Sequence, residues 1–208
     1  MSTIDREGLA PDAWLLPEFA ADTAPLLLAE IAAITSTAPF RRMSTPGGLP
    51  MSVAMTNCGD LGWVSDRRGY RYEPRDPMSG KPWSPMPQSF RSLGEQAAQA
   101  AGFAGFVPDA CLINRYEPGA RMSLHRDQDE CDFDWPIVSV SLGLPAIFLL
   151  GGHTRAQKQR RISLCHGDVV VWGGDARLRY HGVLPVQAGD PAAAGPQRFN
   201  LTLRRAGT

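Results

Sequence analysis

Long apolar runs and closely paired cysteines are both missing from this 208-residue sequence. No stretch is apolar enough to span a membrane, and the N-terminus Met-Ser-Thr-Ile-Asp lacks a signal-peptide pattern. The four cysteines, Cys58, Cys111, Cys131 and Cys165, are scattered without a C-x-x-C pair. This spacing argues against a structural zinc site and favours reduced thiols. We therefore expect a cytoplasmic protein with no membrane partner.

An excess of charge of either sign is also missing. Lysine plus arginine and aspartate plus glutamate both number 21, so the formal net charge is zero. The protein thus has no global basic footprint for nucleic acid, and any such contact must be local. A chain of this length fits one domain with a lid or a short extension, and we expect a monomer.

Turn-forming residues are abundant, with 18 prolines and 21 glycines, and they favour a β-rich fold. Helices are predicted from Asp22 or Thr23 onwards and over residues 88–101, whereas residues 1–21 are expected to form an irregular arm. About eight short strands follow Pro108. Eight strands with two covering helices are typical of a jelly roll, or double-stranded β-helix. The predicted fold class is mainly β with covering helices (α+β).

The segment Arg121–Asp129 carries the first candidate site. His125 and Asp127 stand two residues apart, so on a strand both side chains leave the same face. An imidazole and a carboxylate are two of the three ligands of a 2-His-1-carboxylate triad, which binds Fe(II) and leaves positions open. His181 is favoured as the third ligand because strand-like runs flank it. A lone H-x-D pattern is common on surfaces, so the pattern alone leaves a metal site open.

The C-terminal run Arg198–Arg204 alternates without exception between apolar and polar side chains. The polar set is Arg198, Asn200, Thr202 and Arg204. Planar guanidinium forks on one face can bind carboxylates bidentately. A dicarboxylate such as 2-oxoglutarate needs a cation for one end and a metal for the other. The alternative is an amphipathic strand whose polar face lies in water.

Residues 40–72 interleave aromatic and basic side chains. The aromatics are Trp63, Tyr70 and Tyr72, and the arginines are Arg67, Arg68 and Arg71. Aromatic faces stack on bases and arginines hold phosphates, so this composition suits single-stranded or extruded nucleotides. A hairpin whose aromatics form a small satellite core has the same composition, and composition alone does not separate the two.

Longer literal strings run through the chain from Phe40 onwards. They include Met51–Gly59, Pro108–Tyr116, Leu124–Glu130, Pro136–Pro145 and His166–Gly174. On these strings the sequence resembles the bacterial AlkB family of iron(II)/2-oxoglutarate-dependent nucleic-acid dealkylases. The resemblance implies a jelly-roll core over residues 88–208 and a nucleotide-recognition lid over residues 40–87. Residues 1–39 remain as an N-terminal arm and helix.

The resemblance also assigns roles to individual residues. It implies that Fe(II) is held by His125, Asp127 and His181. It implies that 2-oxoglutarate is held by Asn114, Tyr116, Arg198, Asn200 and Arg204. Substrate contacts are implied at Thr45, Met55, Trp63, Tyr70, Asp129 and Arg155. We expect the Asp129 carboxylate to favour methylated rings that carry a positive charge.

The implied activity is oxidative demethylation of DNA bases of the 1-methyladenine and 3-methylcytosine type, with O2 as a cosubstrate and formaldehyde as a product. RNA stays open as a second substrate class. The flipped base would lie between Trp63 and His125. Two alternatives remain from the residues themselves. One is the same iron chemistry on a protein or a small metabolite, and the other is a non-catalytic, cupin-like binding module.

Overall fold

The computed structural model describes residues 5–189 and 195–207. Within these residues the helices are α1 (Ala24–Thr37) and α2 (Gln88–Ala100), with a short 3-10 turn at Gly174–Ala176. The strands are β1 (Glu7–Ala10), β2 (Ala13–Leu16), β3 (Ala54–Gly59), β4 (Gly62–Asp66), β5 (Gly69–Glu73), β6 (Ala110–Tyr116), β7 (Met122–His125), β8 (Ile137–Gly143), β9 (Ala146–Leu150), β10 (Arg160–Leu164), β11 (Val169–Trp172), β12 (His181–Val183) and β13 (Arg198–Arg204).

Two antiparallel sheets form the core of the fold. The larger has seven strands in the order β1-β2-β11-β8-β13-β6-β3, and the smaller has four in the order β10-β9-β12-β7. One apolar cluster joins the larger sheet to both helices, and two others include residues of both sheets. This arrangement confirms the predicted double-stranded β-helix. Strands β4 and β5 form a separate two-stranded hairpin.

Strand β13 occupies the middle of the larger sheet, between β8 and β6. Leu201 and Leu203 are fully buried in the cluster that includes both helices. The polar side chains of the same strand are also buried, with Arg198 only 1% exposed. They point to the opposite side of the sheet, as the alternation requires. The alternative of a polar face in water is therefore wrong.

Both helices cover the larger sheet with apolar side chains that recur at helical spacing. Helix α1 has proline in its first turn and buries Leu27, Ile31 and Ile34. Helix α2 buries Phe90, Leu93 and Ala97 among other residues, and ends just before Gly102. Gly102 adopts φ +97°, a left-handed conformation that glycine takes up without strain.

The prediction of an irregular arm over residues 1–21 is wrong for the stretch from Glu7 to Leu16, while residues 1–4 lie outside the described residues. Strands β1 and β2 form a hairpin, and β2 pairs with β11, so the segment extends the larger sheet. Each strand has only four residues, and Asp12 at φ +56° makes the tight turn between them. Runs this short carry too little alternation to be read as strands.

The predicted lid contains one strand of the core. Strand β3 pairs with β6 along its whole length, at the edge of the larger sheet. Within residues 40–87, β4 and β5 are the strands that stand apart from the two main sheets. All four cysteines are free, and no helix in the described part of the chain is long and apolar enough to cross a membrane.

Candidate active site

The three predicted metal ligands come together. One ligand atom from each of His125, Asp127 and His181 lies within 4.8 Å of the others. His125 Nε2 is 3.6 Å from Asp127 Oδ1, and His181 Nε2 is 3.8 Å from Asp127 Oδ2. The two histidines are direct partners in the pairing of β7 with β12. Two imidazoles and one carboxylate are the donor set of a facial triad for Fe(II).

Backbone carbonyls fix the orientation of both histidine rings. His125 Nδ1 donates to the carbonyl of Ser123 at 2.9 Å, and His181 Nδ1 donates to that of Arg179 at 3.1 Å. A carbonyl oxygen can only accept, so each Nδ1 must carry the proton. In the neutral ring, Nε2 then keeps its lone pair for a cation, which is the tautomer that a metal-binding histidine needs.

His181 lies in an aromatic wall. Its ring centroid is 5.0 Å from that of Trp172 and 6.0 Å from that of Phe148, and the residue is 5% exposed. Burial, together with the nearby His125, lowers the pKa of His181 to about 4. The imidazole is therefore neutral at pH 7, ready to coordinate a metal.

Asp127 lies outside the strand on which the sequence pattern places it. Strand β7 ends at His125, and residues 126–129 have no regular secondary structure. The carbonyl of Asp127 accepts instead from Arg177 Nη1 at 2.9 Å, which holds the segment by a side chain rather than by a sheet ladder. Asp127 still turns inward and is buried, whereas Arg126 before it is more accessible.

Arg204 binds the candidate ligand carboxylate directly. Its Nη2 and Nε donate to Asp127 Oδ2 at 2.5 and 3.1 Å. Burial would raise the pKa of Asp127, but the charge of Arg204 and the two histidines outweigh it and hold that pKa well below its usual range. The carboxylate is thus ionised at neutral pH, and Oδ1 faces His125.

Glu130, which the sequence patterns do not single out, joins this ion pair into a network. Its carboxylate lies 3.2 Å from Arg204 Nε and 3.0 Å from Arg177 Nη2. The Glu130 and Arg177 side chains are only 2% and 3% exposed. Both arginines also hold Asp127. Arg204 binds the Asp127 carboxylate, and Arg177 binds the Asp127 backbone carbonyl. Glu130 therefore positions the segment that carries the candidate ligand Asp127.

Arg198 differs from Arg204 in having no acidic partner among the described residues. Its Nη2 donates to Ser141 Oγ at 2.8 Å, its Nη1 donates weakly to the carbonyl of Leu144 at 3.4 Å, and its Nε has no partner there. Burial lowers the pKa of Arg198. A buried, unneutralised guanidinium is costly, so the site fits an anionic ligand.

Three further polar residues lie near Arg198, on β13 and on the neighbouring strand β6. The Asn200 amide nitrogen donates to Ser139 Oγ and to the carbonyl of Val140, and Asn200 Oδ1 accepts from the Asn114 amide nitrogen. Asn114 Oδ1 is buried and has no partner in the described part of the chain. Tyr116 is paired with Arg198 across β6 and β13, and burial raises the pKa of Tyr116 to about 12. Arg198 Nε and the Tyr116 hydroxyl are donors and suit one end of a bound dicarboxylate, whereas Asn114 Oδ1 can only accept.

The hairpin of β4 and β5 presents an aromatic pair next to the segment of the candidate metal ligand Asp127. Trp63 and Tyr70 stack with ring centroids 5.6 Å apart and planes 14° apart. Trp63 Nε1 donates to Asp129 Oδ2 at 2.8 Å, and Asn57 of β3 bonds both backbone polar groups of Trp63. Burial raises the pKa of Asp129 despite its bond to Trp63. Asp129 is therefore engaged by the hairpin and is not a merely solubilising residue at an exposed strand end.

A second hydrogen bond links the hairpin to the ligand network. Tyr72 donates its hydroxyl to Glu130 Oε1 at 2.8 Å, and burial raises the pKa of Tyr72 well above its usual value. The hairpin thus contacts Asp129 and Glu130, shortly after the candidate ligand Asp127. No local pattern in the sequence signals Glu130, Arg177 or this role of Tyr72, because each depends on tertiary contacts.

The remaining predicted substrate residues, Thr45, Met55 and Arg155, differ in burial and in their contacts. Thr45 is half-buried in a turn, where its hydroxyl accepts from the Leu49 amide at 3.1 Å. Met55 is 1% exposed on β3, directly opposite Asn114. Arg155 is exposed, with its guanidinium 5.2 Å from the Tyr180 ring centroid.

Comparison with known proteins agrees with this geometry. The family described as the 2OG-Fe(II) oxygenase superfamily matches residues 12–204. The chain is 57% identical over 201 residues to alpha-ketoglutarate-dependent dioxygenase AlkB of Salmonella typhimurium, covering 97% of this chain and 93% of that protein. The chain belongs to the AlkB family of 2OG-Fe(II) oxygenases. It is therefore an Fe(II)- and 2-oxoglutarate-dependent dioxygenase, since alpha-ketoglutarate is 2-oxoglutarate.

Other proteins of the AlkB family are also similar to this chain in sequence or structure. AlkB of Escherichia coli (strain K12) is 56% identical, with 97% of this chain and 94% of that protein covered. The solved structure of OsALKBH1 matches with a TM-score of 0.85 at 28% identity, covering 97% of this chain and all of that one. The nucleic acid dioxygenase ALKBH1 of Mus musculus is 35% identical over 123 residues, 59% of this chain and 31% of that protein.

Proposed function

We propose that this AlkB-family dioxygenase oxidatively demethylates bases of the 1-methyladenine and 3-methylcytosine type in DNA, with RNA as a second substrate class. The observation that carries the proposal is the Trp63–Asp129 hydrogen bond. It ties an aromatic side chain to a residue two positions from the ligand Asp127. A base extruded from its stack needs such a face, and a carboxylate beside it favours a cationic methylated ring.

His125, Asp127 and His181 would hold the iron, whose donor set they match. Bound iron, 2-oxoglutarate and O2 supply the oxidation of the N-methyl carbon, which leaves as formaldehyde while 2-oxoglutarate is converted to succinate and carbon dioxide. The chain's own share is to position the reactants and to keep the ligands in their binding forms. The Nδ1 hydrogen bonds and the Arg204 contact do the latter.

Arg198 and the Tyr116 hydroxyl would bind the far carboxylate of 2-oxoglutarate, because Arg198 Nε is a buried donor without a partner in the described residues. Asn114 would line the same site, where its Oδ1 can only accept from a donor. Asn200 would hold the Asn114 amide in place. Arg204 would act next to the metal end, through Asp127. This division refines the expectation that both arginines hold the cosubstrate in the same way.

The base would lie between Trp63 and His125, with Tyr70, Thr45, Met55 and Arg155 as further contacts in the lid and loops. Within residues 40–87, the hairpin of β4 and β5 would act as the nucleotide-recognition lid on the two-sheet core, to which β3 belongs. The proposal includes a monomer that acts in the cytoplasm, where its free cysteines stay reduced.

The test compares wild type with Trp63→Ala on a single-stranded oligonucleotide that carries 1-methyladenine. The variant should bind the oligonucleotide more weakly and release formaldehyde more slowly, since base–aromatic stacking contributes about 1–3 kcal/mol. Turnover of 2-oxoglutarate without nucleic acid should change much less. If wild type neither binds nor demethylates methylated oligonucleotides but still consumes 2-oxoglutarate, the substrate is a protein or a metabolite instead.

A further inference from the structure

Asn57 of β3 holds the backbone of Trp63 through its side chain. Its Nδ2 donates to the Trp63 carbonyl and its Oδ1 accepts from the Trp63 amide, both at 3.0 Å. Asn57 is 1% exposed, and its own backbone is paired with Leu112 of β6 in the larger sheet. The side-chain amide therefore joins a strand of the core to a strand of the hairpin of β4 and β5.

This contact has the form of one rung of an antiparallel sheet. A neighbouring strand would offer one carbonyl and one N–H to the residue opposite, and the Asn57 amide offers both groups from one plane. Within the described residues β4 is paired with β5 alone, and the two strands form a sheet of their own. Asn57 thus gives the Trp63 backbone the partners that a second neighbouring strand would supply.

Asn57 lies on the face of β3 that also carries Met55, a predicted substrate residue. Residues two apart on a strand share a face, so Met55 and Asn57 point to one side of the sheet and Thr56 points to the other. The Thr56 hydroxyl donates to the carbonyl of Ala38, the residue after helix α1, at 2.8 Å. Asn57 is therefore on the hairpin side of β3, and Thr56 is on the helix side.

The position of the Trp63 ring depends on this backbone contact. The ring stacks on Tyr70, but Tyr70 belongs to the same hairpin and does not tie the ring to the core. The hydrogen bond from Trp63 Nε1 to Asp129 does tie the ring to the core, but a single bond leaves the ring free to turn about it. The backbone contact with Asn57 and the indole contact with Asp129 together fix where the ring lies and how it is tilted.

We propose that Asn57 is a positioning residue that sets the Trp63 ring for the incoming methylated base. This inference rests on the proposed function, in which the base stacks on Trp63. A ring that is already fixed when the base arrives lowers the entropic cost of binding. Because Asn57 acts through Trp63, its contribution to substrate binding should disappear when the Trp63 ring is removed.

A double-mutant cycle tests this on the affinity for a fluorescent single-stranded oligonucleotide that carries 1-methyladenine. Trp63→Ala should weaken binding by about 5–150-fold, the range of base–aromatic stacking. Asn57→Leu keeps a similar side-chain size but removes both hydrogen bonds, and it should weaken binding about fivefold or more, from the lower end of that range. In the Trp63→Ala background the same Asn57→Leu change should alter the affinity by less than about twofold, the tolerance of independent sites.

Thr56→Val is the matched control, since it removes one buried hydrogen bond from the opposite face of the same strand. It should bind the oligonucleotide like wild type. Equal losses for Asn57→Leu in both backgrounds, or an equal loss in Thr56→Val, would overturn the inference. Asn57→Ala adds no bulk and repeats the cycle if Asn57→Leu does not fold. Failure of both variants to fold would make Asn57 a structural residue and would also overturn the inference.

Hydrogen exchange of the Trp63 indole N–H needs no nucleic acid, so it separates this inference from the proposed function. The protein has five tryptophans, and loss of one NMR indole signal in Trp63→Phe identifies the signal of Trp63. Its exchange should be faster in Asn57→Leu than in wild type, whereas the exchange of Trp14, in β2, should not change. If wild type binds no methylated oligonucleotide, the proposed function fails. The exchange rate of Trp63 still decides the role of Asn57, and a wild-type rate in Asn57→Leu would overturn the inference.

Discussion

Replacing Glu130 with alanine should destabilise the protein far more than replacing an exposed glutamate. The Glu130 side chain is 2% exposed and faces two buried arginines, Arg177 and Arg204. Removing one partner of a buried ion pair leaves an uncompensated charge, which costs about 3–5 kcal/mol. Whole-domain stabilities are about 5–15 kcal/mol, so the loss takes a large part of the total.

Chemical denaturation in the presence of a chelator measures this free energy without a contribution from metal. Glu117→Ala is the matched control, since Glu117 pairs with Arg42 at 2.7 Å but both side chains are about half exposed. Such surface pairs contribute about 0–1 kcal/mol. The stability loss in Tyr72→Phe should lie between those of Glu130→Ala and Glu117→Ala. This variant removes one hydrogen bond to a charged group, worth about 1.5–3 kcal/mol.

The same substitution should weaken metal binding. Without Glu130, Arg204 keeps Asp127 as a carboxylate partner and competes more strongly with a cation for it. Residues that support metal ligands typically contribute about 10–100-fold in affinity. Titration with Fe(II) or another divalent cation of similar size checks this. If Glu130→Ala is within about 1 kcal/mol of wild type and binds metal equally well, the positioning role of Glu130 is refuted.

Three further predictions concern single residues. Arg198→Met should raise the 2-oxoglutarate concentration for half-maximal turnover by about 30-fold or more, because truncating a buried charge pair costs ~2–5 kcal/mol. Arg155→Met should leave that concentration unchanged. Similar 2-oxoglutarate requirements in both variants would contradict the assignment of Arg198. In metal-free protein, His181 has a folded pKa of about 4 against 6.5 when unfolded. Its protonation therefore favours the unfolded chain, and about 3 kcal/mol of stability present above pH 6.5 should be lost as the pH falls to 4. Denaturation midpoints should show this loss in wild type but a smaller one in His181→Gln, and equal losses would exclude His181 as the cause. Asp129→Asn should lose more activity on cationic 1-methyladenine than on neutral 1-methylguanine, and equal losses would end the charge-selection idea.

Features with a strong local pattern are predictable from the sequence. The alternation of Arg198–Arg204 correctly places the polar side chains on one face, and the helix predicted over residues 88–101 matches α2 to within a residue. His181 is identifiable as the third member of the cluster because strand-like runs flank it, and it begins strand β12. These features depend on neighbours along the chain.

Features that depend on distant contacts are not predictable in the same way. The H-x-D spacing places Asp127 on a strand, but strand β7 ends at His125. The Asp127 carbonyl accepts a hydrogen bond from the Arg177 side chain instead of from a neighbouring strand. Two arginines on one strand look equivalent in the sequence, yet over the described residues only Arg204 of the two meets acidic side chains. The partner of each buried charge is set by tertiary packing, which periodicity does not encode.

The most direct test of the account is formaldehyde release from a single-stranded oligonucleotide carrying 1-methyladenine, with Fe(II), ascorbate and 2-oxoglutarate supplied. Wild type should release formaldehyde only when 2-oxoglutarate is present. Asp127→Ala should release none while circular dichroism shows it folded, because the carboxylate ligand is lost. Formaldehyde release at the wild-type rate by folded Asp127→Ala, or none from wild type, would contradict the account.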